Sequence, residues 1–258
     1  IERLRNSDMT ISYHIRPPHT LYTGFNQRLQ NLSDEELYQT VKDYETYGLD
    51  LATGDLDRSR PGGYSYVAQV FGRNPVVASA LSDNPRLKQV ALRVYEELGA
   101  QMTVMYHEEG TKVEKPFEYA QGLLIRPSDF SVTRATSING SDNFWWNYMS
   151  ASDAANYNPL VILQNGLAKW AEQGNSRLPF ITSLIHENNF YRSGPEGWTS
   201  IYYSLEKGKK SVPLSAPFNL NAPDPSKVRS PADQAAIWQA YENLVAYAAA
   251  HLQVVTSE

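Results

Sequence analysis

The chain has 258 residues, of which 41% are hydrophobic and 20% charged, and this is the composition of a folded globular protein with one sizeable core. Its net charge of -5 argues against a nucleic-acid-binding protein, and no apolar run approaches the roughly 20 residues that cross a bilayer. Cysteine is absent, so disulfides, thiolate metal sites and cysteine nucleophiles are excluded.

Helices that lead directly into strands recur along the chain. Ser33 and Glu36 form a capping box at the start of the first helix, and Gly48 ends it. Capping residues and apolar spacing predict helices at residues 33–48, 82–99, 159–173 and 230–248. Short apolar runs predict about seven strands, at residues 9–15, 49–53, 66–71, 101–106, 123–125, 180–185 and 252–256.

The alternation of strands and helices favours a parallel sheet with helices packed against it. The phosphate-binding patterns GxxxxGK[ST] and GxGxxG are missing, which removes the usual reason for an open nucleotide-binding sheet. We therefore predict a single α/β domain over residues 1–258, built as a (β/α) barrel. Long loops of the kind that carry function would lie at its rim, at residues 54–65, 134–158 and 188–230.

Histidines follow several predicted strands. His14, His107 and His186 each lie at or just beyond a strand end, and the carboxyl ends of parallel strands meet at one rim. Three neutral imidazoles there are a candidate site for a divalent metal such as zinc, with Glu108, Glu109 or Glu187 as ligand or general base. The alternative is that these histidines hydrogen-bond the loop backbone and hold the rim together.

Acidic and basic residues at the same strand ends give a second interpretation that needs no metal. Glu108 and Glu187 are candidates for the acid and base of glycosidic bond cleavage. Arg126, in an Arg-Pro pair that closes a strand, is a candidate for holding an anionic group, and Arg16 has the same placement. Asp55 and Asp57 are candidates for binding a cation or a sugar hydroxyl, with an Asx turn as the structural alternative.

The aromatic composition favours a protein that binds carbohydrate, because the 17 tyrosines and 5 tryptophans offer apolar faces with polar edges on which sugar rings can stack. The densest patch lies in the loop at 134–158, and two more aromatic residues follow His186. We predict a platform on which sugar rings stack, and packing of the loops onto the barrel is the alternative. Its residues are Trp145, Trp146, Tyr148, Tyr191 and Trp198.

Three segments resemble the glycoside hydrolase/deacetylase (β/α) barrel superfamily, near the polysaccharide deacetylases. The segment Leu184-Ile185-His186 resembles a late Leu-x-His motif, Leu124-Ile125-Arg126-Pro127 is similar to an Arg-Pro motif, and AYENLVAYAAAHLQVVTSE is similar to the terminal helix and strand. The resemblance implies that His186 lies beside the reacting centre and that Arg126 orients a catalytic group. The paired-aspartate motif of the first strand and the His-x-x-x-His motif are missing; SYHIRPPH and His107-Glu108-Glu109-Gly110 stand there instead.

These observations together predict a carbohydrate-active hydrolase that acts on a polysaccharide or oligosaccharide, or on its acyl substituents. A metal-independent glycosidase with paired glutamates and a non-catalytic glycan-binding or interaction barrel are the alternatives. The chain starts at Ile1 rather than Met, from which we expect that an upstream segment such as a signal peptide has been lost. A secreted or cell-envelope location is therefore favoured over a cytoplasmic one.

Overall fold

The computed structural model of the chain describes residues 1–80, 84–105, 119–127, 199–204, 212–223, 226, 228–253 and scattered residues between 160 and 191. The chain divides into two compact units. The first unit comprises residues 1–127, 202–219 and 256–258, and the second comprises residues 128–201 and 220–255. Among the described residues, no helix is long and apolar enough to cross a membrane. The organisation of residues 1–258 as one barrel domain stays a prediction.

The helices begin and end at residues that satisfy their free backbone groups. They are α1 (Glu2–Arg5), α2 (Asp34–Thr46), α3 (Gly63–Phe71), α4 (Pro85–Leu98), α5 (Thr199–Tyr202) and α6 (Pro231–His251), with a 3-10 turn at Gln27–Leu29. The predicted capping box starts α2, because Ser33 Oγ accepts from the Glu36 amide while Glu36 accepts from the Ser33 amide. Asn84 caps α4, and Gly99 ends it at a φ of 106°.

Strands in the first unit form one larger sheet and two hairpin-like pairs. They are β1 (Ser12–His14), β2 (Tyr47–Leu49), β3 (Leu56–Pro61), β4 (Val77–Ser79), β5 (Met102–Met105), β6 (Tyr119–Ala120), β7 (Leu123–Pro127), β8 (Tyr203–Ser204) and β9 (Val212–Pro213). The larger sheet has the order β1-β4-β5-β7-β6. The antiparallel pairs are β2 with β3 and β8 with β9.

The larger sheet confirms the mixed α/β class, with helices beside a mainly parallel sheet. β1, β4, β5 and β7 are parallel neighbours in chain order, and β6 pairs antiparallel at the edge. A doubly wound sheet reverses its strand order at a switch point, whereas successive strands of a (β/α) barrel stay in chain order. Closure of these strands into a barrel stays a prediction.

The core of the first unit lies between this sheet and helices α2, α3 and α4. Tyr13 of β1 is buried and makes edge-to-face ring contacts with Tyr64 of α3 and Tyr95 of α4, each with ring centroids 5.7 Å apart. Aliphatic side chains of the sheet and helices complete the cluster, including Ile15, Leu37, Val41, Leu87, Ala91, Val94 and Leu123. The helix-facing side of β1 is therefore part of the core.

Most predicted elements of the first unit are confirmed, and four predictions are wrong. The predicted strand at 49–53 lies at Tyr47–Leu49 instead, and residues 51–53 form a turn. Gly48 belongs to this strand and does not end α2, which stops at Thr46. The predicted strand at 66–71 belongs to α3, because Tyr64 and Val67 both pack on the core and lie three residues apart, which is helical spacing. The predicted loop at 54–65 contains β3, which β2 pairs with. β4 was missed because only three residues of a short Ala- and Ser-containing run are in the strand.

The second unit is described mainly through α6, which begins after Ser230 as predicted. The Ser230 hydroxyl accepts from the Asp233 amide, and Ile237 and Leu244 are buried. Leu252 and Gln253, predicted to start a strand, are not in one. The predicted helix at 159–173 is confirmed at its described residues, which are Leu160, Val161, Leu163, Gln164, Ala168 and Glu172. The predicted strand at 180–185 lies outside the described residues.

Candidate functional site

The parallel strands of the larger sheet place their carboxyl ends at one edge. His14 of β1 pairs in register with Ser79 of β4, and Arg126 of β7 pairs in register with Val104 of β5. The pairing between β4 and β5, continued by two residues, sets Ser79 level with Val104. His14, Ser79 and Arg126 therefore occupy positions in one backbone row across the carboxyl edge of the sheet.

Sequence reasoning identified two of these three positions. His14 and Arg126 were recognised because each follows an apolar run and carries a group that can bind or move charge. Ser79 was missed together with its strand, although it is a buried polar residue at 7% exposure. The signal that marks it is a short apolar run after Pro75 that ends in a hydroxyl residue.

His14 makes a hydrogen bond that fixes its protonation state. Arg16 Nη1 lies 2.9 Å from His14 Nε2. A guanidinium carries donors only, so Nε2 must accept this bond, and His14 is a neutral imidazole with its proton on Nδ1. Arg16 is exposed, and no ion pair among the described residues includes it. The carboxyl end of β1 therefore carries an exposed cation supported by a neutral acceptor.

His19, five residues further along, has the opposite tautomer. The Leu21 amide donates to His19 Nδ1 at 3.2 Å, so the ring proton is on Nε2. This Nε2 lies 3.3 Å from the Tyr44 carbonyl oxygen and 3.8 Å from Glu45 Oε1. His19 is thus held on both sides of its ring by groups of the protein interior and is not a residue of the sheet edge.

Glu45 is the centre of a buried polar cluster. Its side chain is fully buried, with Oε2 accepting from the Tyr64 amide and Oε1 accepting from the Tyr95 hydroxyl, each at 2.9 Å. Tyr13, whose ring contacts those of Tyr64 and Tyr95, lies close enough for the charge of Glu45 to act on its phenol. Gly63 has a φ of 51°, and a Cβ on it would lie 2.5 Å from Glu45 Oε2. The carboxylate therefore occupies a site shaped by the backbone at the start of α3.

The Glu45 cluster shifts the pKa of its tyrosines. Burial raises the pKa of Tyr13 and of Tyr95 well above the ordinary value, and the negative charge of Glu45 raises both further. Burial alone raises the pKa of Tyr64 to about 12. The three phenols are therefore neutral over the physiological range, and that of Tyr95 donates to the carboxylate.

Asp57 is engaged within its own hairpin. Its Oδ1 accepts from the Ser59 amide at 3.0 Å, and its Oδ2 lies 2.8 Å from Arg60 Nε. The Ser59 hydroxyl and amide lower the pKa of Asp57. Asp55 is exposed, and its carbonyl accepts from the Asp50 amide at 2.8 Å. The contacts of Asp57 match the structural alternative of a local turn, and the predicted sugar-binding role of both residues stays a prediction.

Most of the other predicted site residues lie outside the part of the chain that the structure describes. This holds for Glu108, Glu109, Glu187, His107, His186, Trp145, Trp146, Tyr148 and Trp198. Tyr191 is described, is 59% exposed, and accepts a backbone hydrogen bond from the Arg229 amide at 2.7 Å. Its exposure leaves the ring accessible for the predicted stacking.

The described residues do not fit a divalent metal. Within the described ranges, no three His, Cys, Asp or Glu side chains come together to hold an ion. His14 uses Nε2 to accept from Arg16, and the guanidinium charge beside the imidazole opposes a second cation there. His107 and His186, the two other predicted ligands, are not among the residues described.

Comparison with other proteins adds no relative to this picture: no family model, curated protein or solved structure matches the chain. The similarity of the Leu124–Pro127 segment to polysaccharide deacetylases thus stays a sequence-based expectation. Functional inference depends on the positions and contacts of the chain's own residues, above all on those at the carboxyl edge of the sheet.

Proposed function

We propose that the protein is a carbohydrate-active hydrolase of the polysaccharide deacetylase type, acting on a polysaccharide or its acyl substituents. The observation that supports this proposal is the backbone row at the carboxyl edge, where the register brings the positions of His14 and Arg126 to one level across four strands. Active sites of parallel α/β folds gather at this edge. The two residues come from distant parts of the sequence, as catalytic residues of such folds do.

In this proposal, the sheet is part of a single (β/α) barrel whose rim forms a polysaccharide-binding cleft. The chain-order succession of β1, β4, β5 and β7 supports a barrel, because it contains no reversal. The remaining strands would come from the predicted segments at 180–185 and 252–256. The aromatic residues of the long rim loops would stack against sugar rings.

The chemistry of the proposal is proton transfer combined with charge stabilisation. Glu108, three residues beyond the end of β5, or Glu187, beyond the predicted strand at 180–185, removes a proton from the attacking water. Arg126 and His186 orient or stabilise the charge that develops on the substrate oxygen. With a glycosidic bond in the cleft, the same two glutamates would serve as acid and base.

The experiment that tests this function measures acetate and new reducing ends released from acetylated xylan and from chitin oligomers. We expect that Glu108→Gln or Glu187→Gln lowers kcat by about 10²- to 10⁴-fold, as loss of a general base does, while binding of the oligomer persists. Glu172→Gln, a change of an exposed helical glutamate, is the matched control and should leave turnover unchanged. Release of reducing ends without acetate would favour the glycosidase. Binding without either product would overturn the hydrolase and leave a glycan-binding barrel.

Barrel closure can be tested by disulfide formation, because the chain has no cysteine of its own. Ser12→Cys on β1 is combined with one cysteine at a time at residues 252–256. Neighbouring strands bring Cα atoms within the roughly 4.4–6.8 Å that a disulfide spans. A closed barrel predicts rapid oxidation for a pair in register and none for Ser12→Cys combined with a cysteine at the exposed residue Glu242. Slow oxidation at every pair would contradict closure between the first and last strands.

A further inference from the structure

Arg16 is the exposed arginine that follows the carboxyl end of β1, and like Arg3, Arg5, Arg28 and Arg73 it has no ion pair among the described residues. Ion pairs with carboxylates engage Arg58, Arg60, Arg86 and Arg93. Arg16 instead donates to the neutral imidazole of His14, and no carboxylate of the described residues lies within 4.0 Å of its guanidinium. Its positive charge is therefore not compensated by an acid of the described chain.

We infer that Arg16 binds the carboxylate of an acidic sugar, so that the substrate is a polysaccharide containing uronic acid residues. This inference rests on the proposed function for the reaction, and it makes the substrate class of the same edge more specific. A guanidinium has five N–H donors in a planar fork, which matches the two oxygens of a carboxylate. A neutral sugar has no group that would make two charge-assisted bonds to it.

His14 orients the guanidinium without neutralising it. The bond from Nη1 to His14 Nε2 fixes one corner of the fork 2.9 Å from a ring that belongs to β1. The donors on Nε and Nη2 belong to an exposed side chain and can bind a ligand from solution. An acid in place of His14 would have paired with the arginine and reduced its attraction for a ligand. A neutral acceptor such as His14 fixes the orientation of the guanidinium and leaves its positive charge uncompensated.

The position of Arg16 places this cation where a substrate of the proposed hydrolase would bind. Arg16 follows the end of β1 by two residues, at the same edge of the sheet as the backbone position of Arg126. The chain as a whole has a net charge of -5 and does not attract polyanions by its overall field. Selection of an acidic polysaccharide therefore requires local cations such as this one.

The test compares binding of two probes by titration calorimetry: an oligogalacturonate and a neutral cello-oligosaccharide of the same length. We expect wild-type protein to bind the oligogalacturonate at least tenfold more tightly. Arg16→Gln should remove this preference, and Arg16→Lys should restore part of it because the charge returns without the fork. Arg93→Gln removes the same charge from an exposed position on α4 and should change binding by less than twofold.

Equal affinities of wild-type protein and Arg16→Gln for the oligogalacturonate would overturn the inference, provided that thermal unfolding shows both to be folded. Failure of the wild-type protein to bind the oligogalacturonate would overturn it as well. Binding is measured without turnover, so the two proposals fail separately. Tight, Arg16-dependent binding without hydrolysis would contradict the proposed function and leave the substrate class standing. Hydrolysis restricted to neutral polysaccharides would contradict the substrate class and leave the proposed function standing.

Discussion

Two histidines on one short segment of the chain belong to regions with opposite physical character. His14 lies at the edge of the sheet, where its Nε2 accepts from an exposed arginine. His19 lies against the interior, where its Nδ1 accepts from a backbone amide and its Nε2 lies near the buried carboxylate of Glu45. His14 is the last residue of β1 and His19 lies five residues beyond it, yet the two carry their ring protons on different nitrogens. The partner, rather than the distance from the strand end, decides what such a histidine can do.

The two regions also differ in what they contribute to stability. A carboxylate without exposure to water loses its hydration, and Glu45 recovers this only through the donors that converge on it. Arg16 keeps its contact with water, so its single hydrogen bond contributes little to folding. We therefore expect the interior region to control stability and the edge region to be free for ligand binding.

The substitution with the largest expected effect on stability is Glu45→Ala, in the interior region. It removes the acceptor of the Tyr64 amide and of the Tyr95 hydroxyl, which then stay buried without it. We expect a loss of about 3–5 kcal/mol in the free energy of unfolding, measured in urea. Glu35→Ala, at an exposed position of the same helix, should change it by less than about 0.5 kcal/mol. Equal effects of the two changes would show that the carboxylate is not the centre of this region.

The stability that the interior region contributes should also depend on pH, through its buried tyrosines. Burial and the charge of Glu45 favour the neutral phenols of Tyr13 and Tyr95, so their pKa is higher in the folded than in the unfolded state. The stabilisation is fully present below the unfolded tyrosine pKa of about 10 and is lost as the pH rises through the folded values. Ultraviolet absorbance of the phenolate should therefore show a late fraction of the 17 tyrosines that ionises together with alkaline unfolding. A single ionisation step near pH 10 in folded protein would contradict this.

The sequence predicted the helices of the first unit well because their signals are local. The capping box at Ser33 and the glycine at 99 act within a few residues of the helix ends, and both are as expected. The predicted strand at 66–71 is wrong because β-branched and aromatic residues favour a strand locally, whereas Tyr64 and Val67, at helical spacing, both pack on the core. Only the packing of that face against the core distinguishes the two structures.

The candidate site was predictable as a set of strand ends and not as a set of contacts. That His14 and Arg126 fall in one row depends on strand register, which no local pattern encodes. The sequence does not predict the buried cluster around Glu45, because no local pattern distinguishes Glu45 from an exposed glutamate near the end of a helix. Its burial follows from three tyrosines on β1, α3 and α4, which come together only in the folded chain.

A third, smaller test concerns Thr103, a buried residue of β5 whose hydroxyl has no hydrogen-bond partner in the structure. Thr103→Val replaces this hydroxyl by a methyl group of similar size, so we expect unfolding to become harder by about 1 kcal/mol. Thr46→Val is the matched control, because the Thr46 hydroxyl donates to the Lys42 carbonyl at 2.7 Å. The control should be neutral or destabilising. A loss of stability in Thr103→Val would mean that its hydroxyl does have a partner in solution.

The smallest expected effect on stability is that of Arg16→Gln, and this substitution compares the edge and the interior most directly because the fold stays almost equally stable. Arg16→Gln should alter the free energy of unfolding by less than about 0.5 kcal/mol, because the guanidinium is exposed. Nitrogen NMR of the imidazole rings should show the Nδ1–H tautomer at His14 and the Nε2–H tautomer at His19 in wild-type protein. Arg16→Gln should change the ring signals of His14 and leave those of His19 as they are. If His19 responded equally, the edge and the interior would be one coupled region, and the edge would lose the independence that binding a ligand there requires.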